Sequence, residues 1–375
     1  MRRFVGIVLS VFFIHVSAAQ AFDLNASSYV FGHPQSGSIV MQEAANEKTA
    51  PASLAKMMTL YLLFEAIEDG VIGLDDTIPV SEKAWRMGGS KMFIEVGKKI
   101  RVEDLIKGIA VSSGNDACIA VAEYLGGSED GFVIMMNSKA EEFGMTNTNF
   151  MNASGWPHEE QHTTAMDVYK LASHLYMDFP EFRDYFHIPN FTYSNIKQNN
   201  RNGLIRREFA NMEVTGLKTG HIEEAGFHLA SSAHSDGTVI IGVVMGTDSM
   251  GAREAETLKA LTYIFNNYRM YNLVGEGQVV EKDVPVWAGQ KDDISLAAGE
   301  GVNVFMSRAQ RGDLKSEITY KKPVVAPIEQ GQQVGTLTIN YSDKQQSVPL
   351  VASTPVGELS FTDKLGWIIS HNLSN

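Results

Sequence analysis

The chain has 375 residues, 44% of them apolar and 20% charged, which is enough to bury a sizeable core and long enough for two domains. Its formal net charge of −13 argues against nucleic acid as a partner. A single cysteine, Cys118, rules out any internal disulfide, so stability has to come from packing.

Residues 1–21 read as a signal peptide. Arg2 and Arg3 form a charged start, Val5 to Val16 is an apolar run, and Ala19-Gln20-Ala21 is a small-x-small cleavage site. The run is short for a membrane span, so the chain is expected to be exported rather than anchored there. Ser28 to Phe31 and Gly37 to Met41 predict a hairpin joined through Gly32 to Ser36. A run with helical spacing follows from Ser53. Val102 to Ala110, Ala117 to Tyr124 and Ser128 to Phe143 predict three more helices, the last stopped by Gly144. Cys118 reads as a small buried hydrophobe.

His158-Glu159-Glu160-Gln161-His162 matches H-E-x-x-H. Zinc chemistry would need both histidines on one face of a buried helix. Gly155 and Pro157 precede the motif and no aliphatic residue supports a helix, so it reads as a polar loop with no metal. The next helix starts at Thr164, where Thr164 to Asp167 resembles a capping box with Asp in place of Glu or Gln. Pro180 to Arg207 looks irregular. Gly226 to Ala233 and Thr238 to Met245 predict central strands joined at Ser235-Asp236-Gly237. Ala252 to Tyr268 predicts a helix packed back on the sheet. Composition shifts at about Asn272 to Gln278. Short strand-like runs follow at 284–287, 302–305, 317–320, 334–339 and 347–351, predicting a small all-β sandwich. Phe361, Leu365, Ile368 and Ile369 then make a short amphipathic helix.

Three short motifs carry the chemistry. Ser53 and Lys56 are three residues apart, so one helical turn sets them on the same face, where a neutral lysine can take the serine proton. Alone, the pair reads equally as a serine near a helix start beside an exposed lysine. Ser113-Gly114-Asn115 and Lys218-Thr219-Gly220 follow in the order of the serine penicillin-recognising enzymes.

With their flanks, Ala50 to Thr59, Ser113 to Cys118 and Gly216 to His221, these motifs resemble the D-alanyl-D-alanine carboxypeptidases, the low-molecular-mass penicillin-binding proteins of the bacterial periplasm. The resemblance spans nearly the whole mature chain. It implies an α+β fold of the β-lactamase/transpeptidase-like type, an antiparallel sheet flanked by helices with an inserted helical region, followed by a small all-β domain. The expected division is 22–272 for the catalytic domain, 279–353 for the β-rich domain and 355–375 for the tail. It implies Ser53 as nucleophile, Lys56 as base and Ser113 as proton bridge. Asn115 would orient Lys56 and bond the substrate amide, with a structural cap as its alternative. Lys218, Thr219 and Gly220 would hold the substrate carboxylate. Arg253 would be a second carboxylate contact, or else a helix-start ion pair, and Arg201 is a further candidate. The amides of Ser53 and His221 would form the oxyanion hole.

The expected activity is removal of the terminal D-alanine from peptidoglycan stem peptides, with no cofactor and with β-lactams as inhibitors. The alternatives are a D,D-endopeptidase on crosslinks and a non-catalytic wall-binding protein. The middle motif is Ser-Gly-Asn rather than Ser-Asp-Asn, and no Glu-x-x-Leu-Asn follows, so penicillin should acylate Ser53 and leave slowly. The resemblance also implies that the tail anchors at the inner-membrane surface. The alternative is a helix packed on its own domain, because the polar face carries little charge beyond Asp363 and Lys364.

Overall fold

A computed structural model describes residues 22–341 and 344–372, with side chains through Gly366. The predicted signal peptide therefore lies outside the described residues, as do the side chains of Ile368 and Ile369.

The chain opens with the antiparallel pair β1 (Ser28–His33) and β2 (Ser38–Glu43), joined by a 3₁₀ turn over Pro34–Ser36. The Ser53 segment departs from the expected single helix. Ala52–Ala55 is a 3₁₀ turn, and the α-helix proper, α1, runs Lys56–Glu68. Every residue of α1 from Lys56 to Phe64 is buried. A helix apolar all round is a core element rather than a surface one. Its Phe64 stacks on Phe182 at 4.4 Å.

Helices α2 (Val102–Ala110), α3 (Asn115–Gly126) and α4 (Glu129–Glu142) follow close to their predicted places. Helix α5 spans Ala165–Asp178, with the Thr164 side chain accepting from the Asp167 amide. The capping box is only half made. The Asp167 carboxylate turns away to accept from the Asn147 amide and the Thr148 hydroxyl, both at 2.9 Å.

Strands β3 (Glu213–Ile222), β4 (Gly226–Ser235) and β5 (Thr238–Thr247) complete a five-stranded antiparallel sheet in the order β2-β1-β5-β4-β3. The β4–β5 turn is Asp236-Gly237, both with positive φ, as a two-residue hairpin turn requires. Alternation sorts the faces. Val239, Ile241, Val243 and Met245 join the core under α1 and α5, whereas Ile240 and Val244 meet Leu261 and Ile264 of α6 (Met250–Asn267). Helix α6 thus packs back on the sheet as its spacing predicted. The Lys218-Thr219-Gly220 motif lies within the edge strand β3 and is followed by β4.

Pro180 to Arg207 holds more order than its composition suggested. Asn190–Tyr193 and Ile196–Asn199 form a hairpin turned at Ser194-Asn195, both with positive φ. Beyond α6, Tyr268–Val274 pairs with Val302–Ser307, and a six-stranded sheet runs through 279–352. Two strands of that sheet, Asp293–Ala298 and the short Val324–Val325, were missed by the sequence pattern. Val284, Leu296, Val304, Val348 and Leu350 fill the core between the two. Phe305 faces the other way, joins the core beneath α6 and stacks on His33 at 4.9 Å. The last helix, α7, is Phe361–Asn372.

Candidate active site

Three structural segments converge on one cleft of about 570 Å³, lined among others by Ser53, Ser113, Thr219, His221 and Arg253. The 3₁₀ turn presents Ser53. The loop before α3 presents Ser113 with φ of +59°, and Ala52 beside the nucleophile has φ of +46°. Two non-glycine residues in the left-handed region flanking one site are strain held by the surrounding core. The edge strand β3 supplies Lys218 and Thr219 from the far wall.

Lys56 Nζ donates to Ser53 Oγ at 3.0 Å and also to the Ser154 carbonyl. Lys218 Nζ donates to Ser113 Oγ at 2.9 Å and to the Thr219 carbonyl at 3.0 Å. Both lysines are buried, and neither has a carboxylate partner among the described residues. Burial is the main reason the Lys56 ammonium is lowered to about 8, with the Arg201 charge lowering it further. Lys218 is itself driven well below its ordinary value by burial first and then by Lys56.

Asn115 departs from its expected role toward Lys56. Its amide donates to the Gly88 carbonyl at 2.9 Å, tying the 88–94 loop to the start of α3. Arg253 is buried, its terminal nitrogen donates to the Arg201 carbonyl at 2.9 Å, and its Nε has no partner. Among the described residues it forms no helix-start ion pair. The neighbouring Glu254 instead accepts from Arg207 at 2.6 Å and from the Gly203 amide at 3.0 Å. An unpaired buried guanidinium nitrogen beside the cleft is suited to an anion.

Comparison with known proteins bears on this arrangement of Ser-x-x-Lys, Ser-x-Asn and Lys-Thr-Gly in one cleft. Residues 15–249 match the family described as D-alanyl-D-alanine carboxypeptidase, and 268–358 match the C-terminal domain of penicillin-binding protein 5. The chain belongs to the D-alanyl-D-alanine carboxypeptidase family. It is a serine-type D,D-carboxypeptidase of the penicillin-binding kind. It is 34% identical to the D-alanyl-D-alanine carboxypeptidase DacA of Escherichia coli over 93% of this chain and 91% of that one. It is likewise 34% identical to DacF of Bacillus subtilis, over 92% and 87%. The crystal structure of DacD from Francisella tularensis superposes with a TM-score of 0.78 at 31% identity, covering 90% of this chain and 95% of that one. Penicillin-binding protein 5 of Haemophilus influenzae gives 0.76 at 32%, covering 90% and 98%.

Sequence reading missed several residues that shape this carboxypeptidase. Asp116, buried just inside α3, accepts from the amides of Met92, Phe93 and Ile94 at 2.8, 2.8 and 3.2 Å. It thereby folds the loop that brings Ser90 to the cleft. The Ser154 carbonyl grips Lys56, and Gly155 follows because a Cβ there would lie 1.7 Å from the Ala52 carbonyl oxygen. No local pattern marks a backbone carbonyl as an anchor, so Ser154 carried no signal. His158 to Gln161 is a loop, and His162 only bridges to Asn149, so the H-E-x-x-H spacing does not sit on a helix. Cys118 is fully buried, as expected of a small hydrophobe.

Proposed function

We propose that Ser53 attacks the carbonyl between two terminal D-alanines of a peptidoglycan stem peptide. Neutral Lys56 takes the Ser53 proton as the Oγ–C bond forms, and the amides of Ser53 and His221 receive the oxyanion. Ser113 relays a proton to the departing amine as the C–N bond breaks. Water then attacks the ester, losing its proton to Lys56, and the Oγ–C bond breaks as Lys56 returns that proton to Ser53 Oγ, freeing the shortened peptide. Lys218, Thr219 and Arg253 hold the substrate carboxylate, Gly220 lets the substrate approach the backbone closely, and Asn115 bonds the substrate amide. The observation that carries this reading is a lysine without water contact, 3.0 Å from a serine hydroxyl and lowered to about 8. The roles fall within residues 22–272, leaving 279–353 as a spacer or partner surface.

The test is D-alanine release from a peptide ending in D-Ala-D-Ala, beside labelling by a fluorescent penicillin, with Ser53→Ala as control. Release that vanishes in the control, with a penicillin adduct that clears slowly, is the expected result. Labelling without release would favour crosslinks and the endopeptidase. Neither would leave a wall-binding protein, and rapid penicillin turnover would refute the slow-deacylation reading.

We also propose a periplasmic location after cleavage near Ala21, with α7 resting on the inner-membrane surface. Phe361 and Leu365 are 82% and 55% exposed, a poor arrangement for a helix that has water alone around it. No described helix is long and apolar enough to cross a membrane. Mature protein should sediment with phosphatidylethanolamine/phosphatidylglycerol vesicles, and the same protein ending at Ser360 should stay in the supernatant. Equal behaviour of the two sinks the anchor.

A further inference from the structure

His228 sits near the start of β4, fully buried. Across β3 it faces Gly220. Across β5 the register breaks at this residue. Phe227 pairs with Thr247 and Leu229 with Val244, so Met245 and Gly246 lie opposite His228 alone. This is a bulge. Gly246 has φ of +73°, and its amide donates to His228 Nδ1 at 3.0 Å. A ring that accepts at Nδ1 carries its proton on Nε2. Burial lowers the imidazole to about 4, so the neutral ring is the working form.

Nε2 has no hydrogen-bond partner among the described residues, and the backbone of Ala50 and of Phe227 both act on the electrostatics of the ring. Ala50 leads directly into the nucleophile turn. The next carbonyl, that of Pro51, lies 3.2 Å from where a Cβ on Gly220 would stand, and the Ala52 Cβ lies 3.3 Å from it. One residue thus holds the bulge in β5, pairs with Gly220 beside His221, and feels the backbone of Ala50 that leads into Ser53.

We propose that His228 is a positioning residue that sets the spacing between the Ser53 and His221 amides. Nδ1 holds the bulge, and the Nε2–H closes on the Ala50 carbonyl as the tetrahedral oxyanion forms. A bond made in the transition state and not in the resting enzyme raises kcat without tightening ground-state binding. The inference rests on the oxyanion hole proposed above.

The test compares H228N with H228Q. Asparagine places an acceptor near the position of Nδ1 and can keep the Gly246 amide satisfied, but it cannot reach Ala50. Glutamine can reach Ala50. H228N should keep a Tm close to the parent. Its kcat for D-alanine release and its penicillin acylation rate should fall about 10–100-fold, with KM within about twofold, the loss typical of a misplaced site. H228Q should recover most of the rate. Independently, in histidine-labelled parent protein the His228 Nε2–H proton signal should move downfield on acylation by penicillin.

Parental rates in H228N, a loss carried by KM, rates that track Tm, or H228Q no faster than H228N would each overturn the proposal. So would a proton signal that does not move. A parent enzyme that penicillin never labels at Ser53 would overturn the oxyanion-hole reading along with it. A labelled parent with an indifferent H228N would overturn this inference alone.

Discussion

Lys56→Arg should leave the protein folded and catalytically dead. Arginine keeps the positive charge but stays protonated at any working pH, so it cannot accept the Ser53 proton. Loss of a general base costs about 10²–10⁴-fold, and here acylation depends on it from the first step, so a fall of roughly 10³-fold or more is expected. Penicillin acylation rate and D-alanine release measure it, and an arginine variant within tenfold of the parent would remove Lys56 from the mechanism. The magnitude follows from burial. A lysine near its ordinary value is neutral in only about 3 molecules in 10,000 at pH 7. At about 8 it is neutral in about one in ten. The kcat/KM profile should therefore climb with pH and level off near 8 rather than above 10.

The same shift has a thermodynamic side. A lysine whose folded value lies below its unfolded one destabilises the fold fully at pH 7, and the penalty fades as pH rises through about 8 to 10.5. That penalty is of order 3 kcal/mol, since each unit is about 1.4 kcal/mol. Lys56→Met removes it but leaves the Ser154 carbonyl without its donor, at about 1–3 kcal/mol. The methionine variant should thus be inactive and at least as stable as the parent near neutral pH.

Asp116→Ala should be the most damaging change outside the reacting groups. The carboxylate is 1% exposed and holds the amides of Met92, Phe93, Ile94 and Ala117. Removing it leaves buried donors unpaired, each worth about 1–3 kcal/mol, so a loss of about 4 kcal/mol is expected. For a protein of this size that is a drop of about 5 °C in Tm. Asp116→Asn should recover little, because its amide nitrogen would face donors. Penicillin acylation should fall as well, since the loop carries Ser90 into the cleft and accepts from Asn115 through the Gly88 carbonyl. A Tm within about 2 °C of the parent would show that the loop holds itself.

Much of this was legible from residues alone, for identifiable reasons. The helices over Val102–Ala110 and Glu129–Glu142 announce themselves because each pairs spaced apolar residues with a clear stop. The β4–β5 hairpin carries Asp-Gly at its turn. The contact between Ser53 and Lys56 was legible because their spacing of three residues sets them side by side, 3.0 Å apart. What stayed hidden depends on contacts between distant segments. The Ser194-Asn195 turn was readable in principle, but the aromatic and amide-rich run around it masked the alternation. Asp167 looked like a cap partner, and tertiary structure gave its carboxylate to Asn147 and Thr148. Asn115 looked like a partner for Lys56, but the loop it braces is set by Asp116, which no spacing rule singles out. The source of the lowered Lys56 value needed three-dimensional placement, since Arg201 is 145 positions away in the chain.

The order of the five-stranded sheet has one more consequence. The reacting edge is β3, while Phe305 of the β-rich region rests on His33, in the strand beside the opposite edge. Between β1 and β3 lie three strand spacings, about 14 Å of continuous hydrogen-bonded ladder. A pull on the β-rich region therefore reaches the cleft through a stiff plank rather than through a hinge inside the site. Whatever holds the far end sets the height and heading of the cleft over its substrate, and the catalytic geometry travels with it unchanged.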